Sequence, residues 1–462
     1  MRFYESVLEL VGKTPLVRLR RMVEPDMATI LVKMEQLNPT GSVKDRMAVH
    51  MLRRAEAAGL IEPGGVIVES TSGNTGLGLA MAAAALGYRC VCTIPDKMSK
   101  EKIDMLKAYG ADVIVTPTDL DHEHPESYVQ VAKRIARETP NALYTDQYHN
   151  MSNPEAHYLT TGPEIWADTD GQLDSLIVGI GTGGTVSGSA RYIKEQAAQT
   201  GRRVRVICPD PFGSIYPDVF YQRPVREPRI YAVEGIGHDF MVGTLDFSVV
   251  DEIVEVSDRD SFLNARRLAR EEGIFCGGST GTVIHGALQE ARRLGPGKLV
   301  VAILCDSGGR YISKCFDDEW MKDKGFLDRD GRIGSVRELI QFKGDYVELA
   351  DPEESITSVA GRMSDLGISQ MPVVENGGFK MVHESDLLRS LLHGKCKPED
   401  PVRRVATPLQ GQVALSDSTV KVEQILDTEN VAVVVDKGGI VGIISKIDVV
   451  RFLAARTGAG SP

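Results

Sequence analysis

Val66-Ile67-Val68-Glu69-Ser70-Thr71-Ser72-Gly73-Asn74-Thr75-Gly76 is a short β-branched run that gives way to a loop of serine, threonine, glycine and asparagine. The residues from Leu77 to Leu86 favour helix, so the whole stretch reads strand, loop, helix. The pattern continues outward: Val91-Cys92-Thr93-Ile94 reads as a strand, Lys100 to Tyr109 as a helix and Val113-Ile114-Val115 as a strand. Such alternation from Gly65 to about Asp306 predicts parallel α/β architecture with both faces of the sheet covered. The chemistry is then expected in loops at the strand C-termini. A second glycine-rich loop, Gly179-Ile180-Gly181-Thr182-Gly183-Gly184-Thr185, follows Leu176-Ile177-Val178 and also precedes a helix-like segment.

Upstream of the first loop, Lys44 lies in Asn38-Pro39-Thr40-Gly41-Ser42-Val43-Lys44-Asp45-Arg46. A lysine on a glycine-serine turn can be partly desolvated, which lowers its pKa and suits it to Schiff-base formation with an aldehyde cofactor. Pyridoxal phosphate is the obvious candidate. The loop from Ser70 to Gly76 can present N–H groups and short polar side chains to an anion. Each signal alone has a plainer reading: a surface lysine, a helix cap, a tight turn. Their occurrence together and in this order is far more specific.

At 462 residues with a net charge of −11, the chain has room for two or three domains and argues against binding nucleic acid or anionic lipid. Small metabolites are the expected partners. No apolar run reaches the roughly 18 to 20 residues of a spanning helix, and Met1-Arg2-Phe3-Tyr4-Glu5 is not a signal peptide, so a cytoplasmic location is expected. The seven cysteines are scattered without a CxxC pair, as in a reducing compartment. Cys90 and Cys92 alternate in a strand-like run and read as core. His122 and His124, in a polar loop ending at Pro125, read as a solvated connection rather than a metal site.

These motifs resemble the fold-type II pyridoxal-phosphate enzymes, with the tryptophan synthase β-like fold of two parallel α/β subdomains. Within that group the chain resembles the cystathionine β-synthase family over roughly residues 5 to 326. Supporting phrases are Gly12-Lys13-Thr14-Pro15-Leu16-Val17-Arg18-Leu19, Gly41-Ser42-Val43-Lys44-Asp45-Arg46, Asp146-Gln147-Tyr148, Glu234-Gly235-Ile236-Gly237-His238-Asp239-Phe240 and Cys276-Gly277-Gly278-Ser279. The resemblance implies that Lys44 is the Schiff-base lysine and the base for the Cα proton. Asn74 would meet the phenolic oxygen of the cofactor, Gly181, Thr182, Gly183, Gly184 and Thr185 its phosphate, and Ser279 its pyridine nitrogen. Ser72, Gly73 and Thr75 would hold the substrate carboxylate, with Gly235 and Tyr148 also on the substrate; Tyr148 also has a plainer reading as a packing residue. A hydroxyl at the ring nitrogen suits β-replacement better than transamination.

The implied reaction eliminates the β-hydroxyl of serine and adds the thiol of homocysteine, giving cystathionine. Sulfhydrylases that combine O-acetylserine or O-phosphoserine with sulfide share most of these phrases and remain an alternative, as does a weakly active nucleotide sensor. Ser70 and Cys305 stand where proline is usual in the family, which leaves substrate preference open. Haem is not expected, because only eleven residues precede Gly12.

A charged stretch from Trp320 to Gly331 reads as a connection, giving a catalytic domain over 1–325, a linker over 326–340 and a further module over 341–456. The module holds an internal repeat with a period of about sixty residues. Ser355 to Gly367 reads as a helix, followed by Met371-Pro372-Val373-Val374, a Gly377-Gly378 turn and Phe379 to Val382. Thr419 to Thr428, Val431 to Val435, a Gly438-Gly439 turn and Ile440 to Ile444 match it. The pair resembles tandem CBS domains, a Bateman module. By that resemblance Ser445 would meet a phosphate or ribose-proximal group and Asp448 the ribose hydroxyls of S-adenosylmethionine or an adenine nucleotide. Asp448 also reads as a helix cap. In the first copy Lys380 and His383 replace Gly442 and Ser445, so one occupied site is expected. Family members are dimers or tetramers, which implies a homo-oligomer.

Overall fold

On the strand Leu299–Leu304, Val300, Ala302 and Leu304 enter one hydrophobic cluster, while Val301 and Ile303 enter another. A strand is apolar at successive positions when neither face meets water. The computed structural model describes all residues except Arg2, Ser72, Lys97, Ser99, Asp119, Asp121, His122, 328–333, Asp345, Tyr346, Asn376, Gly377, Gln410, Thr428, Lys437 and 459–462. Ser72 and His122, both singled out in the sequence, therefore lie outside the described residues.

The chain forms two compact units, Met1–Met321 and Lys322–Pro462. In the first, Leu299–Leu304 is central to a six-stranded sheet ordered Leu16–Arg18, Thr29–Met34, Leu299–Leu304, Ser175–Ile177, Arg205–Pro211, Glu252–Val256. All neighbours are parallel except the first pair. A four-stranded parallel sheet, ordered Asp112–Thr116, Arg89–Pro95, Val66–Ser70, Ala142–Tyr144, is built from chain inserted between Met34 and Ser175. The fold is thus the mixed α/β architecture of two parallel subdomains that the strand–helix alternation implies. The antiparallel Leu16–Arg18 precedes the alternating region and had no such signal.

Cys90 and Cys92 point into the core of the smaller sheet with Ile67 and Ile94, and Val91 points to the opposite face with Val66 and Val68. Each valine or isoleucine so removed from water stabilises the fold by about 1.5–3 kcal/mol.

The second unit contains two matched halves. Ile356–Leu366, Gln370–Glu375, Gly378–His383 and Glu384–Leu392 correspond to Thr419–Leu426, Val431–Asp436, Gly439–Ser445 and Lys446–Gly458. Each half has a three-stranded sheet, the third strand being Thr407–Pro408 in one and Gln412–Ala414 in the other. Residues 336–340, read as linker from their charged surroundings, belong instead to the helix Val336–Lys343. A capping box between Ser335 and Glu338 starts that helix, and Val336, Leu339 and Ile340 pack with Val422, Val434 and Ile444 of the second half.

Candidate active site

Lys44 is the first residue of the helix Lys44–Ala57, and the turn before it is fastened to the chain leaving the central strand. The Val43 N–H donates to the Cys305 carbonyl at 2.8 Å, and the Ser307 N–H to the Gly41 carbonyl at 3.1 Å. The Arg310 guanidinium also reaches the Gly41 carbonyl at 2.8 Å. Two residues beyond Lys44, buried Arg46 holds Glu35 through two bonds of 2.7 and 2.8 Å and Glu164 through two more of 2.8 and 2.7 Å. Burial opposes charge on Glu35, but the Arg46 guanidinium outweighs it and holds the carboxyl below its usual range. This fork fixes the first turn of the helix and hence the lysine.

Burial pushes the Lys44 amine below its ordinary pKa, with Cys305 and Asp306 pulling the other way. A larger share of the amine is therefore neutral and nucleophilic than for a solvated lysine. Asp306 is where three loops converge. Its Oδ2 accepts from Asn74 Nδ2 and from the Tyr311 hydroxyl, both at 2.7 Å, and its carbonyl accepts from the Gly277 N–H at 3.2 Å. Ser42 forms an isolated bridge with it. A Cβ on Gly277 would lie 2.2 Å from Asp306 Oδ1, so only glycine allows this approach. Ser279, two residues on, is buried at the start of the helix Gly278–Leu294. Asn74 Oδ1 and Asp306 Oδ1 are buried with no hydrogen-bond partner among the described residues.

Asn74 begins the helix Asn74–Leu86 behind Gly73, whose φ of +133° excludes most side chains. The Thr75 hydroxyl donates to Gln147 Oε1 at 2.5 Å, and Gln147 Nε2 donates to the Ser70 carbonyl at 2.9 Å. Behind them, burial pushes the Glu69 carboxyl up to about 8, against hydrogen bonds from Thr145 and Gln147.

The second glycine loop ends as the N-terminus of the helix Gly184–Gln199, with Gly183 at φ +84°. Gly181 lies against Gly235, whose carbonyl would be 2.4 Å from a Cβ there, and the Gly237 N–H bonds the Ile180 carbonyl at 2.8 Å. The Thr182 hydroxyl accepts from Asn153 Nδ2 at 3.0 Å. The N-terminal end of this helix carries positive potential beside unbonded N–H groups. Tyr148 lies in an aromatic cluster, its ring edge-on to His238 at 5.3 Å and to Phe240 at 5.4 Å. Its phenol interacts with that of Tyr128.

The structure therefore brings Lys44 and Asn74 to Asp306, sets Ser279 two residues beyond the Gly277 whose N–H bonds it, links Gly181 to Gly235, and sets Tyr148 among aromatic rings. Asp306, Gln147 and Glu69 were given no role from the sequence. All three stand at or just after a strand C-terminus, and that placement was the available signal.

In the second unit, Asp448 Oδ2 accepts from the Ser445 N–H at 2.8 Å, the Ser445 hydroxyl at 2.6 Å and Lys343 Nζ at 2.6 Å. Burial opposes charge on this carboxyl, but Lys343 and Ser445 hold it below its usual range. Among the described residues no three His, Cys, Asp or Glu side chains are grouped to hold a metal, and no helix is long and apolar enough to cross a membrane.

Residues 7–306 match the family model of pyridoxal-phosphate dependent enzymes, and residues 345–393 and 412–455 match that of the CBS domain. Cystathionine beta-synthase of Oryctolagus cuniculus is 38% identical, aligned over 98% of this chain and 85% of its own length. That of Dictyostelium discoideum is 36% identical over 97% and 92%, and that of Saccharomyces cerevisiae 37% over 84% and 81%. A crystal structure of O-ureido-L-serine synthase superposes with a TM-score of 0.64 at 36% identity, covering 69% of this chain and 96% of that one. With both family models in register with its two units and relatives aligned through both, the chain belongs to the cystathionine β-synthase family of pyridoxal-phosphate-dependent enzymes.

Proposed function

We infer that this chain condenses L-serine with L-homocysteine to cystathionine, using pyridoxal phosphate held by Lys44, Asn74, Gly181 to Thr185 and Ser279. The observation that carries the reading is the buried Lys44 amine, acted on by the same Asp306 that receives Asn74. The residues fit the cofactor. Buried Asn74 Oδ1 and Asp306 Oδ1 have no hydrogen-bond partner among the described residues, and the glycines from Gly181 to Gly184 keep side chains away from N–H groups at a helix N-terminus.

When bound, pyridoxal phosphate supplies an electron sink for the bonds at the substrate Cα. Lys44 Nζ, kept partly neutral by burial, takes the Cα proton and returns it after the thiol has added. Asn74 would orient the cofactor through its amide. The Ser279 hydroxyl would face the ring nitrogen without forcing its protonation. Thr75 and Gly73, with Ser72, would receive the substrate carboxylate, Gln147 holding the Thr75 side chain in place. Gly235 and Tyr148 would line the substrate side.

In the C-terminal pair, Ser445 and Asp448 would take the ribose side of S-adenosylmethionine or an adenine nucleotide, which requires Asp448 to exchange Lys343 for the ligand hydroxyls. We further infer a cytoplasmic homodimer or homotetramer that binds neither nucleic acid nor membrane. Product analysis tests the main reading. Serine or O-acetylserine is offered against homocysteine or sulfide; cystathionine from serine and homocysteine is expected as the fastest product. Faster cysteine formation from O-acetylserine and sulfide would make the chain a cysteine synthase. Cystathionine formed no faster than by Lys44→Ala protein would remove the lysine from the site.

A further inference from the structure

His157, on the helix Ser152–Leu159, is fully buried and has no part in the scheme above. Its Nδ1 lies 2.9 Å from Thr161 Oγ1 and its Nε2 lies 3.2 Å from Thr185 Oγ1, the last residue of the second glycine loop. The helix carrying it is pressed onto the helix Gly184–Gln199. A Cβ on Gly188 would fall 2.1 Å from the Pro154 carbonyl and 2.8 Å from His157 Cβ, and one on Gly184 would fall 1.9 Å from Asn153 Oδ1. This close crossing sets the imidazole at a fixed height beside Thr185.

Two tautomers satisfy those distances, and they differ in what they leave over. With the proton on Nδ1, the ring donates to Thr161 and must accept from Thr185, so the Thr185 hydroxyl proton is consumed. The buried Thr161 hydroxyl then has no acceptor, because among the described residues it has no other hydrogen-bond partner. A stranded buried donor is costly. With the proton on Nε2, Thr161 donates to Nδ1, Nε2–H donates to Thr185 Oγ1, and the Thr185 proton is left to point away from the ring. Burial, followed by the charges of Arg46 and Lys44, pushes the imidazole well below its usual pKa, so it stays neutral and keeps one acceptor nitrogen.

We propose that His157, in its Nε2–H tautomer, is the positioning residue that aims the Thr185 hydroxyl proton at the cofactor phosphate. This rests on the assignment of Gly181 to Thr185 to that phosphate, and it adds a residue from a different helix. The role is orientation, not proton transfer.

The test uses the full chain loaded with pyridoxal phosphate and reads the phosphorus resonance and the dissociation constant of the cofactor. Thr185→Val should move the resonance and weaken cofactor binding by about tenfold or more, the loss of one hydrogen bond to a charged acceptor. His157→Asn, whose amide reaches only the Nδ1 position, should reproduce both changes. His157→Gln places an N–H near the Nε2 position and should restore both toward wild type. Wild-type behaviour of His157→Asn alongside a shifted Thr185→Val overturns the proposal and leaves the phosphate loop standing. If Thr185→Val is itself unchanged, the loop assignment fails and the proposal with it. Should the His157 variants not fold, nitrogen-15 spectra of the wild-type imidazole decide: a proton on Nε2 supports the proposal, and one on Nδ1 overturns it.

Discussion

Asp306 and Asp448 each follow soon after a β-strand, and each accepts hydrogen bonds through Oδ2. Asp306 is 1% exposed, bonded by Asn74 and Tyr311, and its Oδ1 has no partner among the described residues. Asp448 is only partly buried, and three donors from Ser445 and Lys343 converge on it. An unsatisfied buried polar atom costs about 1–3 kcal/mol, so a fold retains one where something else repays it. The catalytic unit carries that cost at Asn74 and Asp306, beside Lys44. The C-terminal pair carries little, and on the proposed reading a ligand there would compete with Lys343. On that reading one site is prepared for its occupant, and the other is closed by its own residues until an occupant displaces them.

The contrast breaks most severely if Lys44 is dispensable. Lys44→Ala should lower the β-replacement rate on the order of 10²–10⁴-fold and change the visible absorbance of bound cofactor, read by steady-state kinetics and a spectrum. A rate near wild type would mean that this buried cluster is not where the chemistry happens. Arg46→Ala comes next. It strips buried Glu35 of its partner, and urea denaturation should show a loss of about 3–5 kcal/mol. A loss below about 1 kcal/mol would show the fork to be ornamental.

Glu69→Gln gives an intermediate effect that depends on pH. The folded carboxyl is raised to about 8, above its unfolded value, so its stabilising contribution is complete at low pH and is lost as pH rises through the folded value. Glutamine removes that dependence. The variant should gain on wild type by up to about 1.4 kcal/mol for each pH unit climbed between the two pKa values. Equal slopes for the two proteins in urea melts at pH 5.5 and 7.5 would show Glu69 to be ionised in the fold. The smallest effect belongs to the C-terminal pair. Breaking the partly exposed Lys343–Asp448 contact should cost about 1 kcal/mol or less. S-adenosylmethionine should raise the melting temperature of wild type but not of Asp448→Ala, and should raise that of Lys343→Ala at least as much as wild type. A smaller rise in Lys343→Ala would show that the lysine helps the ligand rather than blocking it.

Lys44, Asn74 and the loop from Gly181 to Thr185 stood out as candidates because glycine spacing and strand–loop–helix order mark them locally. Asp306 did not, since its bond to Asn74 spans 232 residues and only its place just after a strand C-terminus marked it. Gln147 and His157 were hidden for the same reason: each acts through a threonine far away in the chain. The matched halves of the C-terminal unit were visible from their apolar runs and Gly-Gly turns. Thr407–Pro408 is two residues long, too short to show a period. The helix Val336–Lys343 lay next to a charged stretch that masked its Val336, Leu339, Ile340 stripe.

The position of Leu299–Leu304 also governs how the catalytic unit can be made. The strands Val66–Ser70, Arg89–Pro95, Asp112–Thr116 and Ala142–Tyr144 are all synthesised early and can pair as soon as they emerge. The larger sheet cannot. Its N-terminal pair and its later trio stay unjoined until the strand that separates them is translated, and both halves meanwhile present open parallel edges. A chain stalled between Val256 and Leu299 therefore exposes two unpaired strand edges rather than one finished domain, a state open to misassembly. Substitutions in this strand should then lower the yield of folded protein more than the activity of the molecules that do assemble.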